Sequence, residues 1–142
     1  NNTMFTDQGI IEGKSYEINQ FKSTLNNVVE IYADVFVKHA VPAPGSKIEN
    51  HAKELIDRAG ADVVIVTGDG TGHEINMDDL EKVRNIVPEG KLAIGSGVNA
   101  TNVGAYQDLA DILIVGTSFK FDNIVSKKVD INRVEEIVRK VK

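Results

Sequence analysis

The sequence predicts an α/β fold built as a parallel (βα)4 unit. Short apolar runs without polar alternation occur at Val63-Val64-Ile65-Val66, Leu92-Ala93-Ile94 and Ile112-Leu113-Ile114-Val115, the pattern of strands covered on both faces. Segments with helical apolar spacing separate them, and alternating strand and helix demands a parallel sheet with right-handed crossovers.

The elements follow in order. Residues 15–25 open as a helix. Residues 29–37 form a longer, less apolar strand. Ile48, Ala52, Leu55, Ile56 and Ala59 put one stripe on a helix over residues 48–59. After the strand at 63–66, Met77, Leu80, Val83, Ile86 and Val87 predict a helix over 77–87, with Asn76 as its N-cap. The strand at 92–94 leads to a short helix over 100–106. The strand at 112–115 leads to a last helix over 129–142, whose final residues carry Arg139, Lys140 and Lys142 at the negative end of its dipole. Thr6-Asp7-Gln8-Gly9 reads as an N-cap region, or as a further rim loop if a strand precedes it. Four strands form either a small open sheet or half of an eight-stranded barrel. Either way both edges are open, so a complementary half-chain or a homo-oligomer is expected to cover them.

Composition bounds the rest. The chain has 142 residues, 42% of them apolar and 26% charged, which fits one globular domain over residues 1–142. It lacks cysteine, excluding disulfides and thiolate chemistry. The net charge of −5 argues against a nucleic-acid footprint. No apolar run reaches the roughly 20 residues of a membrane span, and a cytoplasmic setting is expected. The chain begins at Asn1 without a Met, as a sequence processed, trimmed or cut from something longer would.

Polar residues gather after the strands, where parallel α/β folds place their sites. Alternation puts Asp34 and Lys38 on one face of the first strand, with His39 beyond them. The three are candidate catalytic groups, or else a structural Asp–Lys pair beside a strand-end histidine. Thr67-Gly68-Asp69-Gly70-Thr71-Gly72-His73 combines hydroxyls, a carboxylate and glycines that let backbone approach a ligand. Thr67, Gly68 and Thr71 are candidate ligand-binding residues and Asp69 a catalytic one, against the plainer reading of a polar loop. Gly95-Ser96-Gly97 and Gly116-Thr117-Ser118 each offer bare amides and a hydroxyl at a strand-to-helix turn, as an anion site requires. Each corner alone is also what an ordinary glycine turn looks like.

No cofactor is called for. Asp34 and Asp69 could share Mg²⁺ with a substrate phosphate, whereas His39, His51 and His73 are too scattered for a ligand set, and His51 reads as solvated. Gly68-Asp69-Gly70 lacks the third glycine of a dinucleotide fingerprint.

Taken together, Thr6-Asp7-Gln8-Gly9-Ile10-Ile11-Glu12-Gly13, Ala33-Asp34-Val35-Phe36-Val37-Lys38-His39-Ala40, Ala61-Asp62-Val63-Val64-Ile65-Val66-Thr67-Gly68, Thr71-Gly72, Ile94-Gly95-Ser96-Gly97-Val98, Asn102-Val103, Ile114-Val115-Gly116-Thr117-Ser118-Phe119-Lys120, Val129-Asp130 and Arg133-Val134 resemble the BtpA family, which includes SgcQ-type proteins. The resemblance implies a phosphate-binding (β/α)8 TIM barrel of which this chain is the carboxyl-terminal half, strands five to eight. It also implies two kinds of role: photosystem I biogenesis in cyanobacteria, and nucleosidase or sugar metabolism in other relatives.

Two functions are weighed. In the first, the chain binds a phosphorylated sugar or nucleoside-like molecule, with lyase, isomerase or nucleosidase-type hydrolase chemistry. His39 or Asp34 would transfer the proton, and Lys38 would neutralise developing charge. In the second, it is a non-catalytic assembly factor for a membrane complex, which requires an exposed apolar patch. The helices show no such patch in sequence; Lys53, Glu54, Asp57 and Arg58 give the second an ordinary solvated face.

Overall fold

A computed structural model describes residues 2–26, 28–68 and 75–141. In chain order these form β1 (Met4–Thr6), β2 (Gly9–Ile11), α1 (Ser15–Thr24), β3 (Tyr32–Asp34), β4 (Ala40–Pro42), α2 (Ile48–Asp57), β5 (Val63–Val66), α3 (Met77–Arg84), β6 (Leu92–Ile94), α4 (Val103–Gln107), β7 (Ile112–Leu113) and α5 (Ile131–Val138). Two 3-10 turns, Thr117–Phe119 and Phe121–Asn123, lie between β7 and α5.

The parallel sheet runs β3-β5-β6-β7, with registers Ala33↔Val64, Val64↔Leu92 and Ala93↔Ile112. Strand alternation then sorts its side chains. Val35, Val64, Val66, Leu92 and Ile94 face the helices and form the core with Ala52, Leu55, Leu80, Val83 and Val103. The other face carries Asp34, Ile65, Ala93 and Ile112, and is flanked by Tyr32 and Ile114, both more than 40% exposed.

Helix ends follow local chemistry. The Asn76 side chain accepts hydrogen bonds from the Asp78 and Asp79 amides, as its N-cap position predicts. The Asn19 side chain donates to the Ala59 carbonyl at 2.7 Å, tying α1 to the end of α2. Lys22 Nζ donates to Asp62 Oδ2 at 2.5 Å, and that carboxylate also accepts the Ile31 amide. These contacts fix α1 beside the start of the sheet.

Several expectations need correction. Thr6-Asp7-Gln8-Gly9 is not a helix cap: a strand precedes it, and it is the further loop beside the rim that the alternative anticipated. It closes an antiparallel hairpin of β1 and β2, to which β4 adds on the other side. The Thr6 hydroxyl donates to the Gly9 carbonyl and accepts the Gln8 amide, which sets the two-residue turn. Each strand has only three residues, too few to show a period. β3 stops at Asp34 rather than residue 37, because the chain turns through His39, at φ +58, into β4. The last helix starts at Ile131: Val129 is bridged to Lys120, and Asp130 accepts the Asn132 amide as the cap. The ordinary solvated faces expected of the helices fail at α1, which buries no residue and exposes Tyr16 and Phe21 by 70% and 66%. Among the described residues no helix is long and apolar enough to cross a membrane.

Candidate functional site

All four parallel strands point their carboxyl ends toward one rim, and short hydrogen bonds join the loops there. After β5, the Thr67 hydroxyl donates to the Phe36 carbonyl at 3.2 Å, tying this loop to the one after β3. The Gly68 amide donates to Ser96 Oγ at 3.2 Å, tying it to the one after β6. Gly95 has no room for a side chain: a Cβ there would lie 2.5 Å from Thr67 Cγ2 and 2.6 Å from Ile65 Cγ2. Gly97 takes φ +78, a conformation glycine adopts without strain. Its carbonyl accepts the Asn102 side chain at 2.9 Å. Asn99 in turn receives the Thr101 amide and hydroxyl, so this corner is held by its own side chains.

The corner after β7 is fixed to it. The Ser118 hydroxyl donates to the Val98 carbonyl at 2.6 Å. Arg133, in the first turn of α5, donates from Nε to the Ser118 carbonyl at 2.8 Å and from Nη2 to Asn123 Oδ1. Gly95, Ser96, Gly97, Gly116, Thr117 and Ser118 therefore line one cleft of about 660 Å³, which also takes in Lys38, Asn99, Thr101, Asn123 and Arg133. Its described lining contains two cations and no carboxylate. Ser96 is buried, 8% exposed, and its oxygen already serves the Gly68 amide.

A second cleft, of about 930 Å³, lies between the two sheets. It is lined by Thr6, Asp7 and Gln8 from the hairpin turn, by the chain from Phe36 to Pro42, and by Thr67 and Gly68. Lys38 lines both clefts. His39 belongs to the second, in a left-handed conformation uncommon for a residue with a Cβ.

The sequence-predicted groups thus divide. The two glycine corners come together with Lys38. His39, Thr67 and Gly68 gather around the neighbouring cleft. Asp34, the last residue of β3, is in neither lining. Desolvation at the strand ends pushes its carboxyl pKa up, and the Lys38 ammonium pulls it back. Asp34 and Lys38 form no contact ion pair among the described residues. Asp69, Thr71 and His73 lie outside the described residues. His51 is packed rather than solvated: its ring meets Phe36 edge-on at 5.2 Å, and burial lowers its pKa against the opposing charge of Glu54. Among the described residues no three His, Asp or Glu side chains cluster as a metal site would require.

Asn123 and Arg133 were not picked out as site residues. Arg133 left one legible signal. It stands three residues after the cap Asp130, where a cation opposes the positive end of the helix dipole.

The chain has relatives along its whole length. The model of the BtpA family matches residues 1–142. An uncharacterized protein of Pyrococcus horikoshii is 39% identical over 138 residues, covering 97% of this chain and 52% of that protein. Photosystem I biogenesis protein BtpA of Synechocystis is 35% identical over 135 residues, covering 95% and 47%. The chain spans about half the length of the curated relatives it matches. Among solved structures, 3-hexulose-6-phosphate synthase of Salmonella typhimurium superposes with a TM-score of 0.63 at 18% identity, over 90% of this chain and 57% of that one. That likeness concerns the fold: the parallel (βα)4 unit matches about half of a TIM-barrel chain.

Proposed function

This chain belongs to the BtpA family, and we propose that it binds the phosphate of a small phosphorylated sugar or nucleoside-like molecule at the carboxyl ends of β6 and β7. One observation carries the reading. In a chain of net charge −5, the two glycine corners share a cleft whose described lining has Lys38 and Arg133 but no acid. Backbone amides at tight turns beside two cationic side chains suit an oxyanion. The name of its structural neighbour, a hexulose-phosphate synthase, is in keeping with a phosphorylated ligand.

The body of such a ligand would extend past Lys38 into the second cleft. There Lys38 neutralises charge developing on the reacting group, and His39 transfers the proton. The hairpin turn, with Asp7 and Gln8, offers an acceptor and an amide to the ligand's hydroxyls. Lyase, isomerase and nucleosidase-type chemistry all fit this arrangement. Because the chain spans about half of its relatives, and β3 and β7 are open edges of the parallel sheet, the site is completed by further strands, from a complementary half or from another copy.

A non-catalytic assembly factor is the second reading. It is favoured by the name of the Synechocystis relative and by an exposed apolar row across the small sheet, Ile10–Phe5–Val41, aligned by strand register.

Thermal shift with a panel of phosphosugars and nucleotides separates the two. A ligand that binds only the folded state raises stability by about 2.7 kcal/mol at a hundredfold excess over Kd. A clear rise with phosphorylated compounds and none with their dephosphorylated forms supports the first reading. No shift across the panel contradicts it.

A further inference from the structure

The protein has four arginines, and three of them face carboxylates. Arg58 pairs with Glu54 at 3.1 Å, Arg84 with Asp111 at 2.8 Å and Arg139 with Glu135 at 2.6 Å. Arg133 differs. Its hydrogen-bond partners are the Ser118 carbonyl and the Asn123 amide oxygen. Both are neutral: they fix the guanidinium, and among the described residues no carboxylate pairs with it. The side chain is half-buried at the cleft wall, where a bare charge is costly unless an anion joins it.

A guanidinium carries five N–H donors in a rigid fork. Nε and Nη2 each serve one of the two acceptors. That leaves Nη1 and the second Nη2 hydrogen for a ligand, a pair suited to two oxygens of a tetrahedral anion. The same arginine is joined to the β6 corner through Ser118, whose hydroxyl reaches the Val98 carbonyl. Asn123 takes φ +56, a left-handed conformation that asparagine tolerates better than most residues.

We infer that Arg133 is the side chain that anchors the anion in this cleft, with Asn123 as its positioning residue and Lys38 left for the reacting part of the ligand. The inference rests on the phosphate reading of the cleft and names the residue that selects for it.

The test is calorimetric titration of the protein with inorganic phosphate at low ionic strength. Wild type is compared with Arg133→Gln, Arg133→Lys and Asn123→Ala, and a thermal melt is recorded for each. Arg133→Gln is expected to weaken binding by about tenfold or more, in line with loss of a charged hydrogen-bonding pair. Arg133→Lys recovers part of that loss by restoring charge without the fork. Asn123→Ala weakens binding severalfold while leaving the charge in place. Phosphate binding unchanged in Arg133→Gln overturns the inference and leaves the phosphate reading standing. Equal losses in the Gln and Lys variants, tracking a common drop in melting temperature, overturn it too, since they mark a purely structural arginine. A wild-type protein that binds neither phosphate nor any phosphosugar removes the reading itself, and the inference with it.

Discussion

The Ser118 hydroxyl donates to the Val98 carbonyl at 2.6 Å, so the corner after β7 is stitched to the corner after β6 by one side chain. Val98 is buried, and Ser118→Ala removes the side-chain donor that its carbonyl accepts from. Ser118→Ala should cost about 1–3 kcal/mol, the range for leaving a buried acceptor unsatisfied. A denaturation midpoint measures that loss, and phosphate affinity should fall with it as the two corners separate. A variant as stable as wild type would show that the stitch contributes nothing.

Gly95→Ala tests the close approach of strands at the rim. Its new Cβ would meet the Thr67 and Ile65 methyl groups inside van der Waals contact. Thr67 must then rotate away and give up its bond to the Phe36 carbonyl. A destabilisation of about 1–3 kcal/mol is expected, as for other overpacked sites. A change within about 0.5 kcal/mol, the range of an ordinary surface substitution, would contradict the geometry.

Lys38→Met tests the division of labour between the two clefts. On any substrate the protein turns over, the variant should lose turnover while inorganic phosphate still binds, because the proposed anchor is Arg133 with the backbone amides. Unchanged kinetics would remove Lys38 from the chemistry.

How much of this was legible in sequence depends on the range of the forces involved. Val63–Val66 and Leu92–Ile94 could be read directly, because strands covered on both faces need continuous apolar runs. Asn76 was legible because capping is local. The meeting of Gly95-Ser96-Gly97 with Gly116-Thr117-Ser118 followed from topology, since consecutive right-handed crossovers bring neighbouring strand ends together. The small sheet was not legible. Phe5 pairs with Val41 across 36 positions, and three-residue strands carry no period. Asp34 was assigned to the face opposite the helices, where it lies, but its distance from the rim depends on where β3 stops. The turn at His39, rather than any hydrophobic pattern, decides that. Arg133 was missed because the one local signal, a cation three residues after the cap Asp130, is weak, and its neutral hydrogen-bond partners, Ser118 and Asn123, lie 15 and 10 positions away.

Asp111 gives a pH-dependent check on the sheet itself. Desolvation pushes its carboxyl pKa up, but the Arg84 guanidinium and the Leu92 and Gly90 amides outweigh that, leaving it below the usual carboxylate value. The folded state thus prefers the charged form. Its stabilisation is fully present above the unfolded value of about 3.9 and is lost as pH falls through the folded pKa. Both partners are only 21% exposed. Asp111→Asn should therefore lower stability at pH 7 by about 1–3 kcal/mol and shrink the difference between pH 7 and pH 3. An Asn variant with the wild-type pH profile would contradict the assignment.

The most direct test of the phosphate cleft is an amide-resolved NMR titration of the protein with inorganic phosphate. The amides of Ser96, Gly97, Gly116, Thr117 and Ser118 should shift together along a single saturating curve, accompanied by the Arg133 Nε–H, whereas the Gly95 amide is already spent on the Val66 carbonyl. Shifts confined to other surfaces, or none at millimolar phosphate, would contradict the account.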